Sequence, residues 1–362
     1  MTPTLRAAIL GTGAVAHLHA EALADIAGVN VIASADPSDE RVRDFNARHG
    51  IPAGYGTLEE LLAEEAVDVV HICTPPAGHA QQTAAAFDAG AHVIAEKPPA
   101  LSLAEVDAMQ AAAAAADRQL AVVFQQRTGT AATHIRNLLQ SGELGRPLTA
   151  VCHTHWYRGA EYFDVPWRGT WESEGGGTTL SHGIHQIDLL SYLLGEWSSA
   201  SGQLFRLDRD VETEDTSCGV VVFERGTVAS VMTTVLAPRE SSLIRIDTEH
   251  ATIELEHLYG HHHASWKLTP ARHVTSERVA SWALPEVEVP SGHDALLSEV
   301  YSSLFAGGEV PPVAADPARA IEIVAALYAS AGRGRPVTRT ELAEPDFRGS
   351  MRVPVRDLRP GQ

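Results

Sequence analysis

The amino-acid sequence predicts a two-domain protein of the α/β class. An N-terminal doubly wound parallel sheet is expected over residues 1–124, and an α+β domain with a large, mainly antiparallel sheet over residues 125–362. Three features point there. The first third alternates short β-branched runs with alanine-rich amphipathic stretches, the pattern of βαβ units. A glycine-rich turn, "GTGAVA", links the first strand to the first helix. From Leu148 to about Leu268, strand candidates follow one another on short turns, which antiparallel neighbours allow and parallel neighbours do not.

In order, "RAAILGTG", "GVNVIASAD", "VDVVHICTP", "AHVIAEKP" and "LAVVFQQ" read as the strands of the first domain. Between them "AHLHAEALADI", "DERVRDFNARHG", "TLEELLAEE", "GHAQQTAAAFDAG" and "SLAEVDAMQAAAAAADR" read as helices; the alanine run 111–116 suits a helix because alanine costs least there. After "HIRNLLQSGELGRP" come the strands "LTAVCHTHWY", "SCGVVVFE", "TVASVMTTVL", "SLIRIDTE" and "ATIELEHL", with one helix, "LSHGIHQIDLLSYLLG", among them. Two helices, near "HDALLSEVYSSLF" and "PARAIEIVAALYASAG", close the second domain.

Forty-six acidic residues against 27 basic ones give a formal charge of −19. That argues against nucleic acid or an anionic membrane as partner, since both reward clustered Lys and Arg. No apolar run reaches the roughly 18 residues of a membrane span, and "MTPTLRAAILGTGAVA" enters a strand without a signal-peptide layout, so a cytoplasmic location is expected. Cys73, Cys152 and Cys218 are scattered through apolar runs and are expected as reduced core residues. His261, His262 and His263 have no carboxylate or cysteine at ligand spacing, so no metal is expected.

In "ILGTGAVAHLHAEAL", Gly11, Gly13 and Ala16 have the G-x-G-x-x-A spacing of a Rossmann-type dinucleotide site. The turn Gly11, Thr12, Gly13, Ala14 and Val15 is the expected pyrophosphate cradle. Asp36 ends the second strand, where a carboxylate accepts from the ribose hydroxyls. It also repels a 2′-phosphate, so NAD is favoured over NADP, with Arg41 and Arg43 as the residues that would serve a phosphate instead. Thr74 and Pro75 end a strand at the sheet's carboxyl edge, where such folds bind ligands, and His79 follows as a contact or a helix-start residue. In "AEKPPA" a strand ends in Glu96 and Lys97, and Pro98 and Pro99 restrict the backbone behind them, which aims Lys97.

In "WESEGGGTTLSHGIHQIDLL" the three glycines read as backbone passing close to a cofactor or substrate, or as a flexible loop. Ser181, His182, His185 and Asp188 follow at spacings of one helix face.

The glycine motif, "TPP" before His79, "EKP", and "GGG" before His185 and Asp188 together resemble the Gfo/Idh/MocA oxidoreductases, the glucose-fructose oxidoreductase and inositol dehydrogenase family, over nearly the whole chain. The resemblance implies an NAD-dependent dehydrogenase acting on a CH–OH group of a sugar, sugar derivative or cyclitol. It also implies that Lys97 stands beside the nicotinamide and hydrogen-bonds the reacting oxygen, that Glu96 serves the same loop, and that His185 takes the hydroxyl proton. These roles suit the chemistry: an ammonium lowers the cost of a developing alkoxide, and imidazole titrates in the right range for a base.

Many members place an aspartate four residues before that histidine, where this chain has Ser181. Ser181 is expected to orient His185, with His182 as an alternative second imidazole; Asp188 is expected to fix the histidine or the helix. Trp156, Arg158, Tyr162, Trp167 and Arg168 supply rings and guanidinium groups for a sugar. Gln126, Arg127, His182 and Asp188 complete the expected substrate contacts. Members commonly pair subunits through the second sheet, and "CGVVVFE" and "VASVMTTVL" are apolar on both alternations, so a homodimer or homotetramer is expected. Two other readings stay open: transient oxidation followed by elimination, as in NAD-dependent glycosidases, and a non-catalytic dinucleotide-binding regulator.

Overall fold

A computed structural model describes residues 4–360. Six parallel strands, β1 (Leu5–Leu10), β2 (Val29–Ala35), β3 (Ala53–Tyr55), β4 (Val69–Ile72), β5 (His92–Ala95) and β6 (Leu120–Val122), form one sheet in the order β3-β2-β1-β4-β5-β6. They alternate with α1 (Ala14–Ala24), α2 (Asp39–His49), α3 (Leu58–Glu64), α4 (His79–Asp88) and α5 (Leu103–Ala116). The chain order reverses between β1 and β4, and the turns that follow these two strands flank the switch point.

Period-two alternation divides the strands between two cores. Ala7, Ile9, Val69, Ile94 and Val123 face Ala16, Ala20, Leu23 and Phe45 of α1 and α2. Ala8, Leu10, Ala35, Val70, Ile72 and Val93 face Leu58, Leu61, Phe87 and Ala113 of α3, α4 and α5. The first face also holds Leu296, Leu297, Val300 and Tyr301, from the helix His293–Phe305. That helix was expected in the second domain. It belongs instead to the first compact unit, which takes in the chain to Ala100, Ala104–Gln125 and His293–Pro317. The reason is burial: α1 and α2 leave part of the first face open, and the apolar stripe of this later helix closes it. β3 was not anticipated either, because "AGY" carries no β-branched residue.

The second unit comprises Leu101–Leu103, Gln126–Gly292 and the chain from Ala318 onward. Its sheet contains β7 (Pro147–Tyr157), β8 (Trp197–Arg206), β9 (Thr216–Phe223), β10 (Val228–Thr234), β11 (Leu236–Thr248), β12 (Ala251–His257), β13 (Trp266–Pro270), β14 (Val337–Thr338) and β15 (Arg356–Asp357). The order is β13-β12-β11-β7-β10-β9-β8-β14, with β15 also on β8. Only β7–β10 and β8–β15 run parallel among these pairs. Its helices are α6 (Thr130–Gln140), α7 (Thr178–Ser181), α8 (Ile184–Leu194), α9 (Ser276–Ala280), α11 (Ala318–Arg333) and α12 (Pro345–Arg348), α10 being the His293–Phe305 helix of the first unit. Among the described residues no helix is long and apolar enough to cross a membrane.

Two expectations are corrected here. "LSHGIHQIDLLSYLLG" is not one helix: it breaks at His182 and Gly183, between α7 and α8. Cys218 is not a core residue; it is exposed on β9, whereas Cys73 and Cys152 are buried.

Candidate active site

In the first unit the turn after β1 is fixed by a close approach. Gly11 has φ +83°, and a Cβ on it would stand 2.9 Å from the backbone of Cys73 and Thr74, so the turn can lie against the end of β4 only as glycine. Gly13 differs. Its φ is −76°, open to any residue, and a Cβ there would meet nothing within 4 Å. The protein itself does not require that glycine, and the space in front of it, at the N-terminus of α1 beside Ala14 and Val15, is the kind a pyrophosphate fills.

Asp36, at the end of β2, is buried and ties the turn down. Its carboxylate accepts from the Thr12 amide at 3.0 Å, the Ser38 amide at 3.0 Å and the Arg41 guanidinium at 2.8 Å. Burial pushes its pKa upward, but the two amides and Arg41 together hold it below the usual carboxylate range. The Thr74 hydroxyl donates to Gln82 at 2.6 Å in the loop that continues through Pro75. His79 is buried between two carbonyl oxygens, Thr74 at 2.8 Å and Pro98 at 3.0 Å, so it staples the loop after β4 to the loop after β5. These residues fit a dinucleotide: an open cradle, a helix N-terminus and an ionised carboxylate.

After β5, Glu96 is buried and Lys97 is partly buried; the Lys97–Pro98 peptide is cis. The Glu96 carboxylate accepts from the Lys97 amide at 3.2 Å, and lies 3.1 Å from His19 Nε2 and 2.9 Å from His293 Nε2. His19 Nδ1 meets His71 Nδ1 at 2.8 Å, and His71 Nε2 meets the Tyr301 hydroxyl at 2.8 Å. Sequence reasoning missed all four of these partners. The one local signal was His71, a histidine inside the otherwise apolar run "VVHIC".

In the second unit the glycine loop passes close to the protein's own groups. A Cβ at Gly176 would meet the Tyr328 hydroxyl at 2.5 Å, and one at Gly177 the Glu214 carbonyl at 2.0 Å. Buried Glu214 holds the loop by accepting from Gly177 N at 3.1 Å, Thr179 N at 2.9 Å and the Tyr328 hydroxyl at 2.7 Å. Gly176 and Gly177 are thus explained by the scaffold.

From that loop a polar chain runs outward. Ser181 donates to the Gly177 carbonyl at 2.8 Å and meets His182 Nδ1 at 2.7 Å. His182 Nε2 faces the Tyr162 hydroxyl at 3.3 Å, which accepts in turn from Arg168. Ser181 therefore orients His182 and not His185, because the break at Gly183 separates the two helices that its spacing assumed to be one.

His185, in the first turn of α8, is buried with its ring 6.2 Å from that of Trp156. Trp156 stands edge-on to His182 and is held by its indole donating to Ser242 at 3.0 Å. Arg158 lies over the Trp156 ring and reaches Glu240 and the Tyr259 hydroxyl, each at 2.8 Å. Arg168 stacks between Tyr162 and Trp167, 3.8 and 4.2 Å from their ring centres. Tyr259 and Glu240 were not anticipated; each comes from a segment that carries no motif.

Three predicted contacts have scaffold duties. Arg127 and Asp188 form a buried two-pronged ion pair, Nε to Oδ2 at 2.8 Å. Gln126 is buried, donating to the Tyr259 carbonyl at 2.9 Å and accepting from Gln186 at 2.6 Å. Beside it burial pulls His257 down to about 3 and His261 to about 4, so both are neutral at physiological pH. His261 is spent on the Gln126 carbonyl and the Trp266 indole.

Gly13→Ala should leave the melting temperature nearly unchanged while weakening NAD binding at least about tenfold, or about 1.4 kcal/mol. Gly11→Ala should instead destabilise the fold by about 1–3 kcal/mol. Calorimetry of both variants with and without NAD separates the two glycines.

The chain matches two family models. One is the oxidoreductase family with an NAD-binding Rossmann fold, over residues 5–124; the other is the GFO/IDH/MocA C-terminal domain, over residues 132–254. D-apiose dehydrogenase of Paraburkholderia graminis is 26% identical across 92% of this chain and 89% of its own length. Myo-inositol 2-dehydrogenase of Thermotoga maritima is 28% identical across 53% of this chain and 55% of its own. Among solved structures, the WlbA dehydrogenase of Chromobacterium violaceum, in complex with NADH and UDP-GlcNAcA, is similar with a TM-score of 0.79 and 27% identity, over 92% of this chain and 96% of that one. The chain belongs to the Gfo/Idh/MocA family of NAD-binding oxidoreductases.

Proposed function

We propose that this chain oxidises a hydroxyl-bearing carbon of a sugar, sugar derivative or cyclitol with NAD, Lys97 stabilising the reacting oxygen and His185 accepting its proton. The observation that carries the substrate class is the cluster of Trp156, Tyr162, Arg158 and Arg168 around His182, near His185: rings for the apolar side of a pyranose and charged donors for its hydroxyls. The relatives named D-apiose dehydrogenase and myo-inositol 2-dehydrogenase support a polyol substrate.

When bound, NAD supplies the hydride acceptor. The hydroxyl gives its proton to the neutral His185 imidazole as the carbon gives up hydride, and the Lys97 ammonium offsets the negative charge that builds on the oxygen. Ser181 serves this chemistry by holding His182. A cytoplasmic location suits three free thiols, Cys218 among them exposed.

The lysine tests the reading. Lys97→Met should retain NAD binding and lose turnover by at least about a hundredfold, since a preorganised charge at a developing oxyanion is worth about 2.7–4 kcal/mol. Lys97→Arg should not restore it, because a planar guanidinium cannot occupy the place of an ammonium. A Lys97→Met enzyme with wild-type turnover on a sugar or cyclitol would refute the assignment.

Cofactor choice follows from Asp36. With its carboxylate held ionised, NAD should bind more than about tenfold (about 1.4 kcal/mol) tighter than NADP. Equal affinities in a calorimetric titration would overturn this.

Assembly follows from the second sheet. α8 and α11 pack on it, while Val220, Val222, Val228 and Met232 are partly or fully exposed along β9 and β10. Val222 pairs with Val228, and Met232 with Cys218, so the side chains form one apolar stripe. We place a subunit interface there. Light scattering at micromolar concentration should give a dimer or tetramer, and Val220→Asp should shift it toward monomer; a monomeric wild type sinks the idea.

A further inference from the structure

We propose that Tyr301, His71, His19 and His293 are positioning residues for the reaction proposed above, acting through the carboxylate of Glu96 on the backbone that carries Lys97. The inference rests on that reading of Lys97, and its grounds are the geometry of one buried network. His19, His71 and Tyr301 are fully buried, and Glu96 is 5% exposed.

An ionised carboxylate only accepts, so Glu96 dictates every proton around it. His19 must present Nε2–H to Oε1 at 3.1 Å, which leaves its Nδ1 as an acceptor. His71 must then present Nδ1–H to it at 2.8 Å, leaving its own Nε2 to accept from the Tyr301 hydroxyl at 2.8 Å. From the other side His293 donates Nε2–H to the same carboxylate oxygen at 2.9 Å, and the Lys97 amide donates to Oε2 at 3.2 Å. Neutral His19 and His71 satisfy the network, and each of their nitrogens has one assignment.

The remaining titratable groups near Glu96 are consistent with its charge. Burial keeps the Cys73 thiol well above its ordinary range, so it is neutral, and lowers His79 against the two carbonyls that raise it. Although burial pushes Glu96 upward, the His19 and His293 donors hold it well below the usual carboxylate range. A fixed anion thus sits one residue from the ammonium of Lys97. The ligand atoms of His19, Glu96 and His293 lie within 4.8 Å of one another, close enough for a metal ion. The two nitrogen–oxygen contacts are already closed by protons, however, and an ion would have to displace both.

Two measurements separate this role from the reading beneath it. Nitrogen-15 NMR of histidine-labelled, substrate-free protein at neutral pH should find His19 as the neutral Nε2–H tautomer, His71 as neutral Nδ1–H, and a proton on Nε2 of His293. Any other set, or a stoichiometric metal retained after dialysis, overturns the network whether or not the enzyme oxidises sugars. His293→Leu should then lower kcat at least about tenfold with NAD affinity and KM retained, as expected for a buried carboxylate that loses one donor. His293→Gln, which keeps an N–H, should recover most of that loss. A KM-against-kcat split that is the same in the two variants, or equal losses of kcat in both, overturns the positioning role. A wild type that oxidises no polyol defeats the dehydrogenase reading, and the positioning role falls with it.

Discussion

A parallel sheet must be covered on both faces, because its crossover connections leave neither face free for water. In this chain α1 and α2 on one side and α3, α4 and α5 on the other do most of that work. The first face is completed by a helix that the chain reaches only at His293, after building most of a second unit. The return serves more than burial. The same helix that inserts Leu296, Leu297 and Val300 into the apolar core delivers His293 to Glu96 and Tyr301 to His71. Closing the sheet and fixing the carboxylate beside Lys97 are therefore one structural event.

Much of the fold was readable because the first domain's strands and helices are local patterns. β1, β2, β4, β5 and β6 are β-branched or alanine-rich runs with turn residues at each end, and the helices between them repeat apolar positions at helical spacing. What escaped had weak local character. β8, "WSSASGQLFR", is rich in serine, has no β-branched residue, and is a strand because β9 lies along it on one side and β14 and β15 on the other. The position of the His293 helix was unreadable for a different reason: an amphipathic stripe tells that a face will be buried and not which sheet will bury it.

The site divides in the same way. The turn at Gly11 and Gly13, Asp36, and the Glu96–Lys97 lip each stand where strand ends put them, and strand ends are legible. Ser181 was misjudged because its spacing to His185 assumed continuous helix, and Gly183 interrupts it. Arg127 and Asp188 have the residue types of a binding site, yet the buried ion pair between residues so far apart in sequence could be learned only from the fold. The Glu96 network joins positions 19, 71, 96, 293 and 301, and no spacing rule connects them.

Both units solve one problem with the same device. Histidines are ambiguous hydrogen-bonding groups, since a neutral ring can donate from either nitrogen, and a site that needs one tautomer must remove the choice. In the first unit the acceptor-only end is Glu96, and it orders His19, His71 and Tyr301 in sequence. In the second unit the fixed end is donor-only: Arg168 donates to the Tyr162 oxygen, which leaves the Tyr162 proton for His182 Nε2. His182 must then present Nδ1–H to Ser181, whose own proton goes to the Gly177 carbonyl. Ser181 is compatible with this order, because a hydroxyl can accept from an imidazole and still donate onward. The polarity of each chain is thus set by one permanently charged or acceptor-only end, and the imidazoles between take the proton placement those ends impose.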